Sequence, residues 1–305
     1  MNKKLLAAAI ASTFAVPAIS QGAAHGDGAN WYGRINTAIE IVDTDEDTVV
    51  GLRNISSRFG VRGAQDLGNG LSVVYRYEFG VDSTVADVQD NNRLSYVGFK
   101  GGFGQVIMGR VWSAAFNHVG TIMDPSQNIG GDAYNGPYRT SNTISYSGNA
   151  GPVALQFDVV VDDANENSDG ADAFGIGGTF STGALTVAGA FNSTDGGNAD
   201  DTDFTAIAAK MDLESLWVGG GWTSTDDGSD DETTGIALLA GGSSGDFSWW
   251  ASVEDISDDD SGDADAININ LTRHTSKTSR VYAEIAINGG ETDADDSNEV
   301  LLGAR

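Results

Sequence analysis

The chain has 305 residues, 44 acidic against 16 basic side chains for a formal charge of −28, no cysteine, and 41 glycines against four prolines. Such acidity argues against nucleic acid as a partner, the missing thiols exclude disulfides, and the glycine-to-proline balance disfavours helix-rich and collagen-like folds. Past the N-terminal segment no apolar run approaches 18 residues, which rules out ordinary membrane-crossing helices but leaves a spanning β-barrel open.

In chain order, the first element is a leader. Lys3 and Lys4 precede the short apolar stretch Leu5 to Ile19, and the small residues Gly22 and Ala24 suit cleavage near Ala24, with Ala18/Ser20 as the alternative. Residues 1–24 are therefore expected to be a signal peptide. Its removal takes two lysines away and brings the charge from −28 to −30. The remaining 25–305 contains no linker and reads as one domain.

From Trp31 onward the dominant period is two. In "WYGRINTAIEI", Ile35, Ile39 and Ile41 share one face while Arg34, Asn36 and Glu40 take the other. "SSRFGVRGAQDLGNG" sets Phe59 and Val61 against Arg58 and Arg62, and "LSVVYRYEF" sets Tyr75, Tyr77 and Phe79 against Arg76 and Glu78. Arg93 precedes "LSYVGFK", and Arg110 closes "QVIMGR". The alternation then stops from about 113 to 140, across "MDPSQNIGGDAYNGPY", with His118 inside the gap and Arg139 at its end. A patternless stretch of that length in a compact domain marks a functional segment. Alternation resumes in "VALQFDVVV", "ALTVAGAFN", "AININLTRH" and "RVYAEIAIN", each eight to ten residues long, about what a tilted strand needs to cross hydrocarbon. The last run, "NEVLLGAR", stops short of a terminal aromatic, so a truncated record is expected.

Two kinds of connection take turns between the runs. One is short and rich in glycine or serine ("GNG", "GGFG", "NAGP", "STG"); the other is longer and acidic ("DDANENSDGAD", "TDDGSDDET", "ETDADDSNE"). This is the layout of an up-and-down antiparallel barrel in an outer membrane, with about sixteen strands. Most of the acidic excess lies in the long loops, which read as solvated, with Ca²⁺ or Mg²⁺ bridging as the functional alternative. None has the EF-hand spacing, and no cofactor or resident metal is expected.

The residues between the apolar ones face the lumen. A lipid-facing arginine at the midplane would cost about 2–4 kcal/mol, so Arg34, Arg58, Arg62 and Arg93 are placed inward as a shared wall. Arg76 with Glu78, Arg110, His118 and Arg139 are secondary lumen candidates. Trp31, Tyr32, Trp217, Trp222, Trp249, Trp250 and Tyr282 are expected at strand ends or on outward faces, as interface girdles.

"WYGRIN", "SSRFGVRGAQDLGNGLSVVYRYEFG", "NNRLSYVGFKGGFGQVIMGR" and "YRTSNTISYSG" together resemble the successive signatures of the general porins of Gram-negative outer membranes. The resemblance is most specific from Trp31 to Tyr146. It implies a sixteen-stranded transmembrane barrel, usually a homotrimer, carrying water, ions and small hydrophilic solutes passively and meeting outer-membrane lipid and lipopolysaccharide. It also implies that the third external loop, here 113–140, folds inward and narrows the lumen. Arg34, Arg58, Arg62 and Arg93 occupy the matching wall positions, with Asp124 and Asp132 as the loop acids facing them. Where the family often has a glutamate-bearing turn this chain reads "PSQNIGG", so the acidic side of the constriction is expected to be weaker. The acidic loops and total charge suggest weak cation selectivity.

Three other readings compete with this one. A substrate-specific channel would share the fold. An exported acidic calcium-binding β protein would explain the loops but not the inward arginines. For an enzyme, His25, His118 and His274 fall in no recognisable catalytic or metal motif.

Overall fold

The computed structural model describes residues 28–44, 47–125, 128–161, 171–195, 201–228, 232–259, 262–290 and 297–305, with the backbone alone at 89–92. The expected leader 1–24, His25 and much of the acidic connections lie outside the described residues. Among the described residues eighteen strands form one antiparallel sheet. They are β1 (Gly28–Arg34), β2 (Thr37–Thr44), β3 (Thr48–Asn54), β4 (Arg58–Gly68), β5 (Leu71–Asp82), β6 (Asp87–Gly101), β7 (Gly104–Trp112), β8 (Arg139–Ala150) and β9 (Val153–Val161). The second half runs β10 (Ala171–Thr182), β11 (Leu185–Thr194), β12 (Thr202–Leu213), β13 (Leu216–Asp226), β14 (Glu232–Ser244), β15 (Phe247–Asp258), β16 (Ala264–His274), β17 (Arg280–Gly290) and β18 (Ser297–Ala304).

Sequence neighbours pair from β4 round to β18, and β18 pairs back onto β2, Val300 opposite Ile41. The sheet is thereby closed. Eighteen strands stand where sixteen were expected, and the excess lies in the first hairpin. Each of its arms is broken once: Thr37 pairs with Asn54 on one side of the break, and Arg34 with Arg58 on the other, a shift of one residue. Around the break, Ile55 N donates to Asn36 O at 2.9 Å, and Asn36 N donates to Ser57 Oγ at 2.9 Å. Ser56 sits there at φ +53°.

Strands with outward Ile, Val, Leu and Phe leave those side chains exposed around the wall, Leu238 at 67% and Val253 at 57% among them. A face of that kind is stable against hydrocarbon and costly against water. The tight turns follow from local chemistry: Asn69 and Gly70, at φ +54° and +75°, supply the two positive-φ positions of a hairpin turn whose twist matches the flanking strands. Trp31, Trp222 and Trp249 point outward as expected. Tyr32, Trp217, Trp250 and Tyr282 do not. Trp217 and Trp250 pack in an interior cluster, and the hydroxyls of Tyr32 and Tyr282 bond to Glu78 and Asn36. All four lie at inward parity on their strands, and parity overrides their closeness to a strand end.

The interior cluster is built on the connection between Trp112 and Arg139, which contains two short helical turns, Phe116–Gly120 and Thr121–Met123. Its Phe116, Val119, Met123, Ala133 and Tyr134 are buried against inward Ala188, Ala206, Ala208, Ala237, Phe204 and Trp250. Small residues on the wall create the seat. A side chain at Gly221 would come within 2.6 Å of Met123 Sδ, and one at Gly235 would run into the carbonyl of Ala133.

Because that seat is close-packed, Gly235→Val is expected to destabilise the folded barrel by about 1–3 kcal/mol through overpacking. Gly51→Val, where a side chain meets open space, should leave stability unchanged. Denaturant titration of the two variants checks this, and equal midpoints would contradict the seat.

Candidate functional site

Two opposed surfaces make up the interior. The first is the arc of β1, β4, β5 and β6, where inward parity collects arginines. Glu78 on β5 is fully buried and takes three of them: Arg76 at 2.6 Å, Arg93 at 2.7 Å and Arg58 at 3.4 Å. Tyr32 Oη also donates to Glu78 at 2.7 Å and accepts from Arg76 Nε at 2.9 Å. Arg62, directly across from Arg76, lies over the Tyr32 ring at 5.1 Å and is in no ion pair among the described residues. Arg34 donates to the carbonyls of Ser56 at 3.1 Å and Ile55 at 3.4 Å, the acceptors exposed by the break in the hairpin. Arg139 stacks over Trp112 at 4.5 Å, and Arg110 donates to Ser141 Oγ at 2.6 Å.

The second surface is the loop itself, which lies along the rest of the wall. At its start, Ala114 N donates to Asp158 Oδ2 at 2.6 Å, Asn117 Nδ2 to Gln156 at 2.8 Å, and His118 Nδ1 bonds to Thr179 at 2.7 Å. These partners are on β9 and β10. Farther along, Asn128 reaches Glu284 on β17 at 2.8 Å and Asn36 at 3.4 Å. The return passes Glu254 on β15, which accepts from Gly131 N at 2.9 Å and Ala133 N at 3.0 Å, and then Thr223 on β13 and Thr233 on β14. Backbone N–H groups bonded to a buried carboxylate are among the stronger hydrogen bonds, about 1.5–3 kcal/mol each. The loop therefore covers the arc from β9 to β17 and leaves the arginine-bearing arc open.

Of the loop acids, Asp124 is buried, its N donating to Gly120 O at 2.8 Å, and Asp132 is exposed. Although its side chain is reachable by solvent, the surrounding barrel desolvates the Asp132 carboxyl and, with Glu254, raises it above the ordinary range, Arg53 acting the other way. Arg53 itself pairs with Glu40 at 2.7 Å and with Glu299. His118 is buried with no carboxylate beside it, and burial pushes its imidazole down to about 4.

Sequence reasoning missed Glu254, Glu284 and Asp158 as the anchors of the loop, and Tyr32 as a partner of Glu78. Their signal was present: Glu254 follows outward Val253, Glu284 precedes outward Ile285, and Asp158 lies between outward Phe157 and Val159. A carboxylate at inward parity in an apolar strand asks for a partner, but alternation does not say which one.

Comparison with known proteins gives the same answer from several directions. The family model described as Gram-negative porin matches residues 6–293. The chain is 34% identical over 89 residues to the major outer membrane protein P.IB of Neisseria meningitidis, a match covering 26% of this chain and 27% of that protein. With the P.IB protein of Neisseria gonorrhoeae it shares 30% identity over 128 residues, 41% of this chain and 30% of the other. The matches thus span less than a third of these curated relatives. Among solved structures, an anion-selective porin from Comamonas acidovorans aligns with a TM-score of 0.74 at 21% identity, covering 91% of this chain and 98% of that one. OmpF of Salmonella typhi, in complex with daunomycin, aligns at 0.71 and 15% identity over 91% and 97% of the two chains. The trimer form of OmpT of Vibrio cholerae aligns at 0.71 and 16%, over 91% and 98%. These structures share the fold.

Two outcomes follow from the anchors. Glu254→Ala removes both loop bonds and should loosen the loop, read as faster proteolytic cleavage within residues 113–138; a cleavage rate identical to the parent would remove Glu254 from that role. His118 has a folded-state value below its ordinary 6.5, so the folded state binds the proton less well than the unfolded one. The stability this represents is present above about pH 6.5 and is lost as pH falls towards 4, about 3 kcal/mol in all. His118→Gln should flatten that part of the acid-stability profile, and an unchanged profile would contradict it.

Proposed function

The chain belongs to the Gram-negative porin family, and on that premise we propose that it is a passive diffusion channel of the outer membrane for ions and small hydrophilic solutes. The observation that carries this reading is the inward loop anchored to one arc of a closed barrel, with a bank of arginines on the arc left open. Such a layout narrows an aqueous passage without sealing it. Opposed charged and polar walls order the water within, so polar solutes pass while bulky or apolar ones are penalised. Arg34, Arg58, Arg62 and Arg93 with Asp124 and Asp132 form the constriction in this reading; Arg76, Glu78, Arg110, His118 and Arg139 support its walls.

The working assembly is a homotrimer, supported by the trimer form of one structural relative. Each protomer carries its own lumen. The acidic connections meet anionic lipid and lipopolysaccharide, where Ca²⁺ or Mg²⁺ would bridge like charges. Family and fold favour a channel over an enzyme.

Purified protein added to a planar lipid bilayer should produce stepwise conductance increments, in multiples of three if trimers insert. Protein that is folded by circular dichroism yet gives no conductance would overturn the channel reading.

A further inference from the structure

The outer face of the wall carries a feature that the passage does not use. Along β16 burial alternates: Ala266, Asn268, Asn270 and Thr272 turn inward, while Ile267, Ile269 and Leu271 are exposed at 41 to 51%. Arg273 takes the next outward position and is exposed as well. Its cross-strand neighbours are Phe247 on β15 and Val281 on β17, both outward. The next outward residue of β15, Trp249, lies opposite Leu271. The guanidinium carbon of Arg273 stands 5.8 Å from the centre of the Phe247 ring. Among the described residues it makes no ion pair, and no acceptor meets its N–H donors. Asp246, in the tight turn just before Phe247, forms no ion pair with it.

The strand fixes the depth of this arginine. β16 ends one residue later, at His274, and β14 and β15 are joined by the tight turn 245–246. Connections this short mark the periplasmic rim of an outer-membrane barrel. Other strand ends on that rim turn Phe180, Leu213 and Leu216 outward, so Arg273 is a positive spot in an apolar band. A lipid-facing guanidinium is costly at the bilayer midplane and close to neutral at the interface, where it meets phosphate. Its planar fork matches two phosphate oxygens at once, and aromatic rings settle at the same depth. Lys277, exposed in the connection after β16 and in no ion pair among the described residues, adds a second positive charge. We propose that Arg273, Phe247 and Trp249 form a binding site for an anionic phospholipid of the periplasmic leaflet. The guanidinium takes the phosphate, and the two rings flank the upper part of an acyl chain. The site lies outside the passage and goes beyond the channel reading. It gives a chain of formal charge −28 a fixed point of attraction for a lipid of like sign.

The test uses the whole protein reconstituted in phosphatidylcholine bilayers that contain a fraction of brominated phosphatidylglycerol or, in parallel, brominated phosphatidylcholine, and reads the quenching of tryptophan fluorescence. Phosphatidylglycerol should quench as though enriched about fivefold at the protein surface, the factor expected for one basic residue near an anionic headgroup. The excess should shrink as salt rises from about 0.1 to about 1 M, because the screening length falls from about 10 to about 3 Å. Arg273→Gln should abolish the excess and Arg273→Lys should keep most of it. Trp249→Phe removes the reporter and should abolish the excess too. Equal quenching by the two lipids in the parent overturns the proposal, and if neither quenches Trp249 a second copy of the chain covers this face instead. An excess unchanged in Arg273→Gln, folded by circular dichroism, or one that survives Trp249→Phe, places the lipid elsewhere and overturns it as well. Should Arg273→Gln not fold, the salt series and Trp249→Phe decide alone.

Discussion

The structure depends on one constraint: in hydrocarbon a strand's backbone N–H and C=O groups have no water to turn to, so the sheet must have no edge. The pairing of β18 with β2 meets it. Once the sheet is closed, every strand has a lipid side and a lumen side, and a period of two becomes a division of labour. Outward Ile, Val, Leu and Phe meet lipid. Inward positions are free to carry charge, which would be expelled from any other part of the membrane. At the first hairpin both arms break together, and side chains of Asn36, Ser57 and Arg34 take over the stranded backbone groups.

A closed barrel of this girth is too wide to fill with its own side chains, and the loop from 113 to 138 supplies what the wall lacks. It is held by two kinds of force at once. Phe116, Met123 and Tyr134 bury apolar surface against a wall of small residues interspersed with Phe204 and Trp250, each such burial contributing about 1.5–3 kcal/mol. Carboxylates on β9, β15 and β17 fix its register through backbone and amide donors. Apolar contact without those bonds would leave the loop free to slide, and the bonds without apolar contact would compete with water. Together they leave the opposite arc uncovered.

Much of this was legible in the chain. Strand parity sets Arg58, Arg62, Arg76 and Glu78 on the face opposite the apolar residues, and in the structure Arg58 and Arg76 meet at Glu78; the failure of alternation after Trp112 marked the loop, whose ends at 113 and 138 lie close to the expected 113 and 140. What stayed hidden depends on register between distant segments. Arg76 with Glu78 was visible because both sit on one strand two residues apart. Arg58 and Arg93 reach the same carboxylate from neighbouring strands, which alternation cannot show. The anchors of the loop lie 44 to 156 residues away in sequence. Trp217 and Trp250 show that closeness to a strand end is the weaker guide: parity, the stronger physical rule, turns both inward.

The central claim is that the loop lies in the aqueous passage and faces the arginine bank. With no native cysteine, single thiols introduced by Asp132→Cys, Arg62→Cys and Val253→Cys can be modified one at a time with a bulky water-soluble thiol reagent while single-channel current is recorded. The account predicts a stepwise fall in conductance on modification at positions 132 and 62, and no fall at position 253, which faces outward. Modification at 132 and 62, verified by mass, with current unchanged would contradict it.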